Sequence, residues 1–197
     1  MAEVELPEFE DLEEARSKTF TKRVALTTAI FAVVLAITSL GGNNAMKEMI
    51  LAQQQASDMW AFYQAKVIRE HLYRQQKTLL ELELSDRTGA GAMKPEVKEQ
   101  WAAAIKKFGD EEKRYNAEKK EIEQDAKKLE HERDVNLKKD PYFDYAEVLL
   151  QIAIVMATIA IIAHSPPIYF FAIGAAALGA ILSFNGFFLL FRLPFFS

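Results

Sequence analysis

Three stretches of the chain are almost free of charge, and the segments outside them hold nearly all of it. Residues 24–40 (VALTTAIFAVVLAITSL) and 168–191 (IYFFAIGAAALGAILSFNGFFLLF) carry none, and residues 145–163 (YAEVLLQIAIVMATIAIIA) carry one, Glu147. At 17, 24 and 19 residues, each approaches or exceeds the roughly 20 helical residues that cross ~30 Å of hydrocarbon. They predict three transmembrane helices. The first reads as a retained anchor rather than a signal peptide. An acidic segment, 1–23, precedes it, it is longer than the usual apolar core, and GGNNAM follows in place of an A-x-A site.

The polar region between the first two spans has a helical pattern of its own. Residues 45–84 contain no Gly or Pro and are dominated by helix formers. SDRTGAGAMKP reads as a loop, with Pro95 placed to open a second helix over 95–139. In that helix Trp101, Ile105, Phe108, Tyr115, Ile122, Ala126 and Leu129 recur on a heptad seam that also takes in Glu112, Lys119 and Arg133. Gly109-Asp110 is a candidate interruption. Folding about the loop pairs residues whose numbers add to about 180. Trp101 then meets Leu79 or Leu80, Phe108 meets Leu72, Ile122 meets Met59 and Leu129 meets Leu51. Gly41-Gly42-Asn43-Asn44 predicts a break or cap after the first span, and Asp140-Pro141 predicts the end of the second polar helix. Tyr142, Phe143 and Tyr145 form an interfacial aromatic belt, HSPP at 164–167 turns the second span into the third, and 192–197 is a short tail with Arg192. The expected fold is an all-α membrane protein. It has three transmembrane helices, with a long antiparallel helical hairpin, a coiled coil, inserted between the first and second.

Residues 56–73 (ASDMWAFYQAKVIREHLY) mix four rings with charged and amide side chains. At 100° per residue Trp60 and Tyr63 lie on one face, while Asp58, Phe62, Arg69 and Tyr73 cluster on the opposite one. One return helix covers only one of these faces. The stretch, with Gln64 and Lys66, is therefore the candidate oligomer face, because aromatics and Arg are enriched in interfaces. Packing within one hairpin and a ligand cleft are the competing readings. The same residues carry a family resemblance. Ser57, Asp58, Trp60, Tyr63, Gln64, Ala65 and Lys66 match a Ser-Asp/Asn-x-Trp-x-x-Tyr-Gln-Ala-Lys core. With VALTTAIFAVVLA, GGNNAM and the layout of one span, a charged helical segment and a span pair, the chain resembles the bacterial membrane family called domain of unknown function 4337. The resemblance covers nearly the whole chain and implies no reaction. It departs at the last turn, where HSPP stands in place of the basic residues frequent in the family.

Charge and composition narrow the functional classes. Residues 41–144 hold 19 Lys+Arg and 20 Asp+Glu, and residues 1–23 hold 4 and 7. Neither is a basic surface for nucleic acid. The chain has no cysteine, which excludes disulfides and thiolate ligands. His71, His131 and His164 are scattered, and no nucleophile elbow, P-loop or dinucleotide fingerprint occurs. No enzyme activity, metal or cofactor is expected. The intramembrane polar groups are Thr28, Glu147, Gln151, Ser183 and Asn185, none ionisable at mid-bilayer. Small residues repeat every fourth position at Thr28-Ala32-Ala36, Ala172-Ala176-Ala180 and Ala175-Gly179-Ser183, as in closely packed spans. Four basic residues precede the first span and only Lys47 closely follows it. By the positive-inside rule the N-terminus is cytoplasmic and the hairpin periplasmic, in a bacterial inner membrane. The expected role is a homo-oligomeric structural or scaffolding assembly. The alternatives are an oligomeric channel and an accessory subunit of another membrane complex.

Overall fold

The computed structural model describes residues 9–89 and 94–191. The leader up to residue 8, the middle of the loop at 90–93 and the tail from Arg192 lie outside the described residues. The fold is all-helical: α1 (Phe9–Gly89), α2 (Pro95–Ile162) and α3 (Pro166–Phe188). Each contains most or all of one of the three apolar runs and is long and apolar enough to cross a membrane.

Two expected boundaries are absent. α1 passes through Gly41-Gly42-Asn43-Asn44, and Pro141 lies inside α2. Glycine inside a helix costs about 1 kcal/mol relative to alanine, and proline deletes one backbone hydrogen bond. Tertiary packing offsets both. Gly41 is buried, and a Cβ there would lie 2.6 Å from Phe187 Cζ and 2.7 Å from Phe143 Cε1. The missing side chain is a socket for rings, not a helix stop. Tyr142 and Phe143, directly after Pro141, are both buried. Gly109 likewise sits within α2. The loop is shorter than SDRTGAGAMKP suggests, because α1 continues to Gly89 with Thr88 Oγ1 donating to the Leu84 carbonyl at 2.6 Å.

The chain divides into two compact units, Met1–Met49 with Asp134–Ser197, and Ile50–Arg133. In the first, the interior is built from small side chains. Ala146, Leu150, Ala153, Ala157 and Ala160 of α2 and Ala172, Ala176, Gly179, Ser183 and Gly186 of α3 are buried, each set at alternating spacings of four and three. Gly179 lets α3 approach closely, since a Cβ there would lie 3.1 Å from the Ala146 carbonyl oxygen. From α1, Phe31, Val34 and Leu35 pack against Leu150, Ala153, Ala175 and Ala176. The large side chains point outward: Leu26, Ile30, Val33, Ile37 and Leu40 on α1, and Val148, Ile152, Val155, Ile159 and Ile162 on α2, are all exposed. Of the three small-residue stripes, the two on α3 are buried or half-buried, but Ala32 and Ala36 on α1 are exposed. The α1 seam runs instead through Val24, Phe31, Thr38 and Gly41, where Val24 and Phe31 pack against alanines of α2 and α3.

The turn into α3 is formed as the sequence suggests. His164 adopts a left-handed φ of 45° and the Ser165 N–H donates to the Ala160 carbonyl at 3.1 Å. This satisfies a late carbonyl of α2, and prolines then open α3 where no N–H is needed.

In the second unit the later part of α1 packs on the earlier part of α2, and partner numbers fall on one helix as they rise on the other. Gln53 pairs with Arg133, Trp60 with Glu130, Lys66 with Glu118, Arg74 with Glu112. These pairs add to between 184 and 190, not 180. The correction follows from the longer α1: the facing helix ends are Gly89 and Pro95, whose numbers themselves add to more than 180. Met59, Trp101, Phe108, Ile122 and Leu129 are buried or half-buried. Leu51, Leu72 and Leu79, expected in the seam, are 57%, 50% and 65% exposed. Ala52, Tyr73 and Leu80, one residue on, face inward in their place.

Candidate functional site

The inward seam of α1 in the second unit runs Ala52, Ala56, Met59, Tyr63, Lys66, Glu70, Tyr73, Lys77, Leu80 and Leu84, all buried or half-buried. Its spacing alternates four and three, the period of a helix that keeps one face against a partner. Three seam positions are charged, Lys66, Glu70 and Lys77, and they meet Glu118, Lys119 and Glu112 of α2. Glu70 is the centre. Its side chain is 1% exposed, and it accepts hydrogen bonds from Lys119 Nζ, from Asn116 Nδ2 at 2.9 Å and from Arg74 NH2 at 2.8 Å. Arg74 Nε also donates to Glu112 Oε1 at 2.7 Å, and Lys77 Nζ lies 3.6 Å from Glu112 Oε2. One helical turn earlier, Lys66 Nζ donates to Glu118 Oε2 at 2.5 Å.

Rings wall this cluster. Tyr73 stacks on Tyr115 with centroids 5.6 Å apart and planes 13° apart, and lies 5.9 Å from Phe108. Lys66 Nζ sits 4.9 Å from the Phe62 ring centre and 5.2 Å from that of Tyr115, and Arg114 Cζ lies 4.8 Å from Tyr115. Such cation–ring contacts are weak where solvent reaches them. The electrostatics follow. Burial works to raise the Glu70 carboxyl, but hydrogen bonds from Lys119 and Asn116 and the charges of Lys119 and Arg74 outweigh it, leaving the group below the usual carboxylate range. The Arg74 hydrogen bond lowers Glu112, and the Lys66 hydrogen bond lowers Glu118.

The arrangement divides the expected oligomer face. Tyr73 is turned inward onto Tyr115 and Phe108. Trp60 donates its indole N–H to Glu130 Oε1 at 2.9 Å and meets Tyr63 edge-on at 5.4 Å. Trp60, Tyr63, Lys66 and Tyr73 therefore make contacts within the chain. Asp58, Phe62, Gln64 and Arg69 remain exposed. Asp58 accepts a hydrogen bond from Gln54 Nε2 at 3.1 Å.

Sequence reasoning missed Glu70. Its signal lay in the α2 seam, where Lys119 and Glu112 interrupt the apolar pattern and require partners of opposite sign.

The polar groups of the three apolar runs lie in the first unit. Thr28 Oγ1 donates to the Val24 carbonyl at 2.8 Å, and Thr38 Oγ1 lies 2.8 Å from Ser183 Oγ in a buried hydrogen bond. Asn185 is fully buried and clamps the chain beyond α3. Its Nδ2 donates to the Phe191 carbonyl at 2.8 Å, and its Oδ1 accepts from the Phe191 N–H at 3.0 Å. Glu147 is half-buried beside Gly42, and Gln151 is exposed.

The family model described as Domain of unknown function (DUF4337) matches residues 20–189, in agreement with the resemblance carried by the 57–66 core. No curated protein and no solved structure matches the chain.

Proposed function

We propose that this chain, which belongs to the DUF4337 family, is a three-span membrane protein without catalytic chemistry. In this reading, copies associate into a scaffold through a helical hairpin outside the bilayer. The observation that carries it is the inverted packing of the first unit. Alanine, glycine, serine and threonine make up most of its interior, with Val24, Tyr142, Phe143 and Leu150 among them, and leucine, isoleucine, valine and phenylalanine cover most of its outside. In water that surface is prohibitive, because apolar area costs about 25 cal/mol per Å². In lipid it is the normal solvent-facing surface, and small residues are what let spans pack closely. Residues 50–133 then form an antiparallel coiled coil whose charged groups are spent on one another, as a structural element requires. The positive-inside rule places this hairpin in the periplasm.

The mass of the detergent-solubilised assembly tests the scaffold. Light scattering is expected to give a multiple of the 22.3 kDa chain, and a monomer across detergents overturns the reading. Reporter fusions at Gly89 and Ser165 are expected to give opposite signals, and a cytoplasmic Gly89 reverses the orientation. One observation favours a channel instead: Gln151 is exposed on the outer side of α2, where, unlike the exposed Thr158 that bonds carbonyls of its own helix, its amide would need a neighbouring copy to shelter it. Conductance in planar bilayers that is abolished by Gln151→Leu would establish that alternative.

A further inference from the structure

The second unit has one more seam than its own helices use. On α1, Ala61, Ala65, Ile68, Leu72, Gln75, Leu79 and Leu82 are all exposed, and their spacings alternate four and three over three heptads. That is the period of a coiled-coil contact sustained long enough to distinguish it from scattered surface leucines. Ile68, Leu79 and Leu82 are each about two-thirds exposed. The helix therefore carries two parallel stripes, one filled by α2 and one empty.

The identity of the occupant follows from what α2 lacks. Among the described residues of α2 within the second unit, no large hydrophobic is exposed. An identical copy thus offers one apolar stripe, and only another stripe of the same kind complements it. Charge agrees. The stripe from 61 to 82 contains no ionisable residue and one amide, Gln75, so like residues facing each other meet no repulsion. The charged residues that dominate α2 would oppose the same contact there. Ala61 and Ala65 allow close approach at the end nearest the apolar run of α1. Asp58, the next seam position, is charged and ends the stripe.

We propose that α1 joins a second copy of this chain through the Ala61–Leu82 stripe, parallel and in register. Parallel order follows because α1 is one helix from Phe9 to Gly89, and copies inserted with one orientation leave the membrane on the same side. Leu72 then meets Leu72 of the other copy, and Leu79 meets Leu79. The inference deepens the scaffold reading and rests on it, naming which side of the hairpin associates.

The absence of cysteine makes the test direct. Single Leu72→Cys, Leu79→Cys and Glu121→Cys chains are oxidised in native membranes, Glu121 being an exposed α2 position. Rapid disulfide-linked dimer is expected at 72 and 79, at least tenfold more than at 121. Equal linking at all three positions, or none at 72 and 79 in an assembly shown by light scattering to be oligomeric, overturns the stripe while leaving the scaffold standing. A monomeric chain overturns both. The Leu72→Glu/Leu79→Glu chain is expected to lose the oligomer while keeping its helical circular dichroism. An oligomer that persists in it also refutes the stripe.

Discussion

The two units share a repeat and differ in what it buries. Both alternate four and three residues between inward positions. In residues 134–191 the inward positions are mostly alanine and glycine, and the large aliphatic and aromatic groups point out. In residues 50–133 the inward positions include Tyr73, Tyr115, Ile122 and a carboxylate, Glu70, and the outside is mostly polar. The period is set by helix geometry alone. In the proposed reading, the medium decides which residues occupy the seam. Water drives large apolar groups inward and lets a charge follow them if it is paired. Lipid gives no such drive, so backbone proximity and small side chains hold the helices together.

Glycine substitution separates the two most sharply. Gly41→Leu is expected to destabilise the first unit by about 3 kcal/mol, the upper end for overpacking, because even a Cβ lands within 2.6 Å of Phe187 Cζ. Gly109→Ala in the second unit should do the reverse. Its Cβ would meet only the Lys77 side chain at 3.8 Å, and the helix gains about 1 kcal/mol in propensity. Thermal unfolding in detergent, followed by circular dichroism, checks both signs. A tolerated Gly41→Leu would mean that the Phe143 socket is not the close-packed contact described.

Acid should act on the units in opposite senses. Glu70, Glu112 and Glu118 lie below their ordinary range. Their contribution is present above the unfolded carboxylate value, about 4.3, and is lost as pH falls through the lowered folded values. Asp140, in the first unit and ahead of the 145–163 run, is raised by burial and by Asp144. Its charged form is a penalty, relieved as pH falls through the raised value. Both tryptophans, Trp60 and Trp101, belong to the second unit, so their fluorescence reports that unit alone. It is expected to show loosening below about pH 4. Glu70→Ala should remove much of this acid sensitivity and about 2 kcal/mol of stability. That figure reflects lost hydrogen bonds to a charged group, and it stays below the largest values for broken buried pairs because Arg74 is half exposed. An unchanged acid transition in Glu70→Ala would sever the link between this cluster and pH.

The parts of the fold that could be read from the sequence are those where one signal acts alone. The three apolar runs announce three helices, and the α2 seam from Trp101 to Leu129 keeps its heptad because its polar interruptions are few. α1 misleads because it carries two stripes of the same period. The more hydrophobic one, with Ile68, Leu72 and Leu79, is exposed. The one packed on α2 contains Lys66, Glu70 and Lys77. Hydrophobicity ranks these stripes in the wrong order, and only the complementary charges on α2, Glu112 and Lys119, reverse the ranking. Gly41 and Pro141 mislead for a related reason. Their local preference to break a helix is real, but the packing of Phe143 and its neighbours outweighs it.

The smallest expected effect tests the comparison at its polar contacts. Thr38→Val in the first unit removes a buried hydroxyl bonded to Ser183 at 2.8 Å, yet it should cost only about 0.6 kcal/mol, the mean for polar contacts between spans. Valine keeps the shape of threonine, and Ser183 has a second acceptor within reach, the carbonyl four residues back on its own helix. Thr28 and Thr158 already use that bond, at 2.8 Å to Val24 and to Ile154. Glu70 has no equivalent. A carboxylate accepts and does not donate, so its own helix offers it no backbone partner, and it depends on Lys119, Asn116 and Arg74. Thermal unfolding of Thr38→Val beside Glu70→Ala should therefore show a loss at least threefold smaller for the threonine. A Thr38→Val loss as large as that of Glu70→Ala would mean that Ser183 is held too rigidly to turn, and that the first unit depends on specific polar contacts as strongly as the second.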